Sequence, residues 1–171
     1  MSSNIIIPPN YVKKISSPLI FLAGPIQGVY TWQDEAIRII NELAPEVYIA
    51  NPRRAVNIEH DFSPEMYNEQ VDWETYHLKK AGKKGVIMFW LAKETKHLCE
   101  RAYAQTSRFE LGEWKAKHEK NKAQVVVGLE EGFTGTKYIL RRLSKDCPNI
   151  PICRTLEETC KEAIRLARLK A

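Results

Sequence analysis

The chain has 171 residues, a net charge of +5, and hydrophobic and charged fractions of 44% and 27%. That length suits one domain with a sizeable core, and the balance excludes a disordered tail or a fibrous repeat. No apolar run approaches the ~18 residues of a membrane span, and the Ile5-Ile6-Ile7 stretch is too short for a signal-peptide core, so a cytoplasmic location is expected. The basic residues are dispersed, which speaks against a nucleic-acid polymer as partner and leaves a phosphate-bearing small substrate compatible. Cys99, Cys147, Cys153 and Cys160 are scattered without a C-x-x-C pair, which predicts free thiols and no metal site.

In chain order, residues 1–17 read as an extended arm with little periodicity. Leu19 to Ala23 is a continuous apolar run, the mark of a strand buried on both faces. From Trp32 to Leu43 apolar residues recur at helical spacing, and Pro45 stops the helix. Val47 to Ala50 is a second short strand, and a polar stretch from Arg53 to Ser63 reads as a functional loop. Ser63-Pro64 opens a helix, with Ser63 as N-cap and Pro64 at its first position. Its face is expected to include Tyr67, Val71, Glu74 and Leu78. Gly85 to Trp90 is the strongest strand signal. A helix from near Ser107 carries Phe109, Leu111, Trp114 and Ala116. Gln124 to Gly128 makes a fourth strand, followed by a helix around Tyr138 to Leu143. A short strand near Ile150 to Cys153 and a helix from Thr155 to Leu169 close the chain. Alternating strands and helices predict a three-layer α/β/α fold, flavodoxin-like or Rossmann-like, with a parallel sheet of four or five strands. Ligands in such sheets bind beyond the carboxyl ends of the strands, which selects the loops after Ala23, Ala50, Trp90 and Gly128.

Four motifs lie at or near that edge. Gly24-Pro25-Ile26-Gln27-Gly28 follows the first strand and allows close backbone approach to a ligand, or serves as a tight turn. It is neither a dinucleotide fingerprint nor a P-loop. Asn51-Pro52-Arg53-Arg54 ends the second strand, where an Arg suits a phosphate or carboxylate or is merely solvated. Gln70, Trp73, Glu74 and His77 share a helix face, on which Trp73 either stacks on a base or packs on the sheet. Ser107-x-x-Glu110 has the spacing of a capping box. Alternatively, Glu110 is a carboxylate in the first helical turn, held ionised by the helix dipole and poised at the anomeric carbon of a sugar.

These pieces, in order, resemble the nucleoside 2-deoxyribosyltransferase-like family. The matching segments are Phe21 to Ile26, Trp32, Asn51 to Arg54, Gln70-Val71-x-Trp73-Glu74, Met88 to Trp90, Phe109 to Gly112, and Val126 to Gly128. The resemblance implies a cofactor-free, metal-free enzyme that cleaves the bond between a deoxyribose and a base. Glu110 would be its nucleophile, and a second base would capture the sugar. In relatives, water captures it instead, giving nucleoside 5′-monophosphate N-glycosidases. The partners implied are a nucleoside or nucleotide and a free nucleobase. A homo-oligomer is also implied, often with a neighbouring subunit closing the site. A binding module that kept the fold without the chemistry is the reading from another class.

The chain departs from the family pattern in three places. Ile20 and Phe21 offer no strand Tyr hydroxyl to orient the nucleophile. Ala104 stands where an Asp precedes the nucleophile by six residues, and His77 stands near the place of a base-binding Asp. The leaving base must then be protonated by Glu74, Asp72 or His77. The substrate-binding candidates are Gly24, Pro25, Ile26, Gln27, Asn51, Arg53, Trp73, His77, Trp90 and Ser107. For a 5′-phosphate the candidates are the Gly24–Gly28 loop, Ser107, Arg53 and Arg108.

Overall fold

The computed structural model describes residues 4–55 and 62–170. Eleven elements are formed among them: β1 (Ile5–Ile6), β2 (Leu19–Ala23), α1 (Trp32–Leu43), β3 (Tyr48–Ala50), α2 (Pro64–Lys84), β4 (Gly85–Leu91), α3 (Gln105–Asn121), β5 (Val125–Leu129), α4 (Thr136–Asp146), β6 (Ile152–Cys153) and α5 (Leu156–Arg168). The sheet order is β1-β3-β2-β4-β5-β6, and every pairing is parallel. The sheet therefore has six strands rather than four or five. The extra one is β1, where Ile5 and Ile6 pair with Ile49 and Ala50. A two-residue strand leaves no periodicity to read, and its pairing is non-local.

The central strands β2, β4 and β5 are buried throughout, as strands covered on both faces must be. Alternation divides their side chains. Phe21, Ile87, Phe89 and Val127 pack with α2, α3 and α4 around Trp73, Trp114 and Leu143. Ile20, Leu22, Met88 and Val126 pack with α1 and α5 around Trp32, Ile40 and Ala163. The result is three layers. The sense of chain travel reverses between β2 and β4, so the crevice outside their carboxyl ends is the switch point. Among the described residues, no helix is long and apolar enough to cross a membrane.

Three expectations about helices are corrected. Ser63 does cap α2, accepting a hydrogen bond from the Met66 amide. The inward face of that helix, however, is Gln70, Trp73, His77, Leu78 and Ala81, while Tyr67 and Val71 are exposed. Phe109 on α3 is likewise exposed, and Ser107, Leu111 and Trp114 face inward. No capping box forms at Ser107: α3 begins two residues earlier at Gln105, and its N-cap is Ala104 in the left-handed region at φ 56°. The capping box of this fold is at α5, where the Thr155 hydroxyl accepts from the Glu158 amide and the Glu158 carboxylate from the Thr155 amide.

Candidate active site

The loop after β2 is fixed by its backbone. Gly24 has φ 156°, and a Cβ there would lie 2.3 Å from the Trp90 carbonyl oxygen and 2.8 Å from the Trp32 ring. Only glycine lets β2 and β4 separate this closely at the switch point. The Pro25 carbonyl accepts from the Trp32 indole at 2.9 Å and from the Gln33 amide at 3.4 Å. The Gly28 carbonyl accepts from the Thr95 and Lys96 amides, which joins this loop to the one after β4. Gln27 is exposed at its apex.

The loop after β3 is tied to the same frame. The Asn51 side chain is buried and accepts from the Arg53 amide at 3.0 Å. The Arg53 guanidinium donates to Gln33 at 3.2 Å and to the Ile26 carbonyl at 2.9 Å. Arg108 donates to the Thr134 carbonyl and hydroxyl and packs over the Phe133 ring. Both arginines thus brace loops, using donors that a phosphate would need. Part of the loop from Arg53 to Ser63 lies outside the described residues.

From that loop a polar chain runs along α2. Arg54 donates to Gln70 at 2.9 Å and pairs with Glu69 at 2.6 Å. The Gln70 amide nitrogen donates to the Pro52 carbonyl at 2.8 Å and to Glu74 at 2.9 Å. Glu74 and Glu110, on facing helices, lie close enough for their charges to interact. Burial, the Glu74 charge and the Glu113 charge, in that order, push the Glu110 carboxyl up to about 8. Burial also raises Glu74, but its Gln70 hydrogen bond and the Arg54 charge oppose the rise. Glu110 is the sixth residue of α3, one turn too deep for strong help from the helix N-terminus. The expectation of a dipole-ionised carboxylate is therefore corrected. At neutral pH these surroundings favour the protonated form of Glu110, which has no hydrogen-bond partner among the described residues, whereas Glu74 has the Gln70 amide and the Arg54 charge beside it.

The remaining candidates divide. Ser107 is buried in the first turn of α3, below Glu110. Trp73 is wholly buried, and its indole donates to the Asn10 carbonyl at 2.7 Å; it holds the arm and has no face left for a base. His77 is also buried, under Tyr11, with Nδ1 against the Trp73 carbonyl at 2.9 Å. Asp72 is exposed and two positions from Glu74, on the other side of α2. Trp90 is buried, and its indole donates to the Tyr30 hydroxyl at 3.2 Å.

Residue-level reading missed a second network at this edge. The Tyr30 hydroxyl donates to Glu130 at 3.2 Å, and Glu130 also accepts from the Lys93 amide at 2.8 Å. Tyr103 donates to the Ala92 carbonyl at 2.7 Å. Gln33, which links Pro25 to Arg53, was missed as well; its signal was an amide on the stripe that Ala36 and Ile40 continue at helical spacing.

The sequence model of the family described as nucleoside 2-deoxyribosyltransferase like matches residues 17–133, more than half of the chain. The chain belongs to that family. The matched stretch runs from β2 through β5 and includes both glutamates, while β1, α4, β6 and α5 lie outside it. No curated protein matches the chain. Among solved structures it is similar to a conserved protein from Enterococcus faecalis V583, at 14% identity and a TM-score of 0.54, over 88% of this chain and 99% of that one. That likeness is one of fold. Ile20 and Phe21 are apolar and buried, and offer no hydroxyl at the site. Ala104 is the left-handed N-cap residue of α3.

Proposed function

We propose that this protein exchanges bases on a 2′-deoxynucleoside through a covalent deoxyribosyl intermediate on Glu110. The observation that carries the reading is the half-buried pair Glu74–Glu110, two carboxyl groups both raised by burial but differently surrounded, Glu74 by the Gln70 amide and the Arg54 charge and Glu110 by negative charges. Such a pair supplies an acid and a nucleophile from one chemical type. As the C1′–N bond breaks, Glu74 passes the proton of the pair to the leaving base, and the Glu110 carboxylate forms a bond to C1′. The incoming base then displaces Glu110 from C1′ and returns its proton to Glu74. The proton resting on Glu110 in the free protein must move to Glu74 before attack, and the positive charge that develops at C1′ as the bond breaks favours an ionised Glu110. Asp72 and His77 are not needed: one is on the other side of the helix, and the other is sealed beneath the arm.

A nucleoside fits the site better than a 5′-monophosphate, because Arg53 and Arg108 both spend donors on backbone carbonyls. The test incubates the protein with deoxynucleosides and their 5′-monophosphates, with and without a second free base. A new nucleoside formed only with acceptor base, together with a deoxyribosyl adduct on the Glu110 peptide by mass spectrometry, is the expected result. Free base released from a monophosphate without exchange would replace this reading with hydrolysis. No turnover of any substrate would leave a binding module.

A further inference from the structure

At the opposite edge of the sheet from the two glutamates, the last turns of α2 and the arm before β2 enclose a cleft of about 470 Å³. Its lining is Lys13, Lys14 and Ile15 from the arm with Lys80, Lys83 and Lys84 from the helix. Lys84 is followed directly by the first residue of β4, which fixes the cleft at the amino ends of the strands.

Lys80 is a clamp. Its ammonium donates to the Val12 carbonyl at 2.5 Å, the Lys13 carbonyl at 2.7 Å and the Tyr76 hydroxyl at 2.9 Å, so all three protons are used. The other four lysines form no ion pair among the described residues. Several cations elsewhere on the surface are matched, Arg38 with Glu35 and Glu42, Lys115 with Glu119 and Asp146, and Arg168 with Glu46, whereas here four unmatched ones share a single cleft. The α2 carbonyl end accounts for Lys83 and Lys84, which complement its dipole. It does not account for Lys13 and Lys14, which the arm carries in from a distant part of the chain. The arm is held in place by Lys80, by the Trp73 bond to Asn10 and by Tyr11 stacked on His77. The fold therefore gathers four like charges around one apolar residue, Ile15, and a multiply charged anion would relieve their repulsion.

We propose that this cleft binds a small polyphosphate anion, either inorganic tripolyphosphate or the phosphate chain of a nucleoside triphosphate. The volume lies within the range of small-molecule sites. Flexible ammonium groups suit a chain of phosphates, each met as a point charge. A single phosphate would engage only part of the cluster. The bound anion would tie the arm to α2, the helix that also carries Glu74.

The test measures binding of tripolyphosphate to the full chain by calorimetry at low and raised salt, with thermal unfolding alongside. Tripolyphosphate should raise the melting temperature by mass action, bind more weakly as salt rises, and bind more tightly than orthophosphate. Lys13→Gln with Lys83→Gln, both at exposed positions, should weaken binding at least tenfold while leaving the unliganded melting temperature and basal turnover unchanged. Lys83→Arg should retain binding. Equal affinity for ATP would assign the phosphate chain alone, and tighter ATP binding lost in the same double variant would assign a nucleotide. No binding at low salt, or binding that survives the double substitution, would overturn the proposal.

Discussion

At the scale of single residues, Glu110 and Glu74 differ by what surrounds them. Glu74 has an amide donor and a nearby guanidinium; Glu110 has burial and two neighbouring negative charges. If the pair works with one proton between them, kcat/KM should follow a bell whose alkaline limb lies near about 8. Glu110→Gln should lower turnover by about 10³-fold or more, because the nucleophile is gone. Glu74→Gln should also be slow, with a profile of a different shape. Its remaining activity should rise with pH to a plateau, at a pKa below that of the intact pair, since the Glu74 charge no longer holds the proton on Glu110. A Glu74→Gln profile that still falls above pH 8 would count against the shared proton. Gly24 gives a test of the frame. Gly24→Ala should cost about 2–4 kcal/mol in denaturant unfolding, because a Cβ meets the Trp90 backbone, which cannot swing aside.

At the scale of elements, the two Ser/Thr-x-x-Glu spacings had opposite fates. Ser107-x-x-Glu110 and Thr155-x-x-Glu158 look alike in the sequence, yet only the second closes a capping box. The first fails because α3 starts at Gln105, which draws Ser107 into the helix and turns Glu110 toward α2. Thr155→Ala should therefore destabilise the protein by about 1 kcal/mol, and Ser107→Ala, which removes no cap, should cost less. Equal losses from the two would contradict the assigned helix start. The same contrast explains what the sequence left hidden. The strands other than β1, together with α1 and the start of α2, were legible because runs of apolar residues and a Ser-Pro cap are local signals. The inner face of α2 was legible only in part, because Leu78 and Ala81 are joined there by the polar or amphipathic Gln70, Trp73 and His77, while Tyr67 and Val71 stay exposed. Glu110 could be located from its family motif. Its protonation could not, because that depends on Glu74, which only the packing of two helices brings near.

At the scale of the whole molecule, Glu110, Glu74 and His77 give stability an asymmetric pH dependence. Glu110 has a folded pKa of about 8, above its unfolded value of about 4.5. The folded state therefore binds more protons than the unfolded state across that window, and stability falls as pH rises through it. Glu74 is shifted in the same direction. His77 is shifted down, mainly by burial and further by the Lys80 charge. Its contribution is present above the unfolded value near 6.5 and is lost as pH falls below it. The two carboxyls act against alkaline stability and the imidazole against acid stability, so these groups together place their best compromise on the acid side of neutrality. Glu110→Gln keeps the shape of the protonated acid and removes its titration. It should leave the melting temperature nearly unchanged at pH 5, raise it clearly at pH 8.5, and move the stability maximum toward alkaline pH. A uniform shift at both pH values would mean that the gain comes from packing. A loss at pH 8.5 would mean that Glu110 is ionised in the fold. The predicted pattern, paired with lost turnover, would identify Glu110 as a group kept for chemistry at the expense of stability.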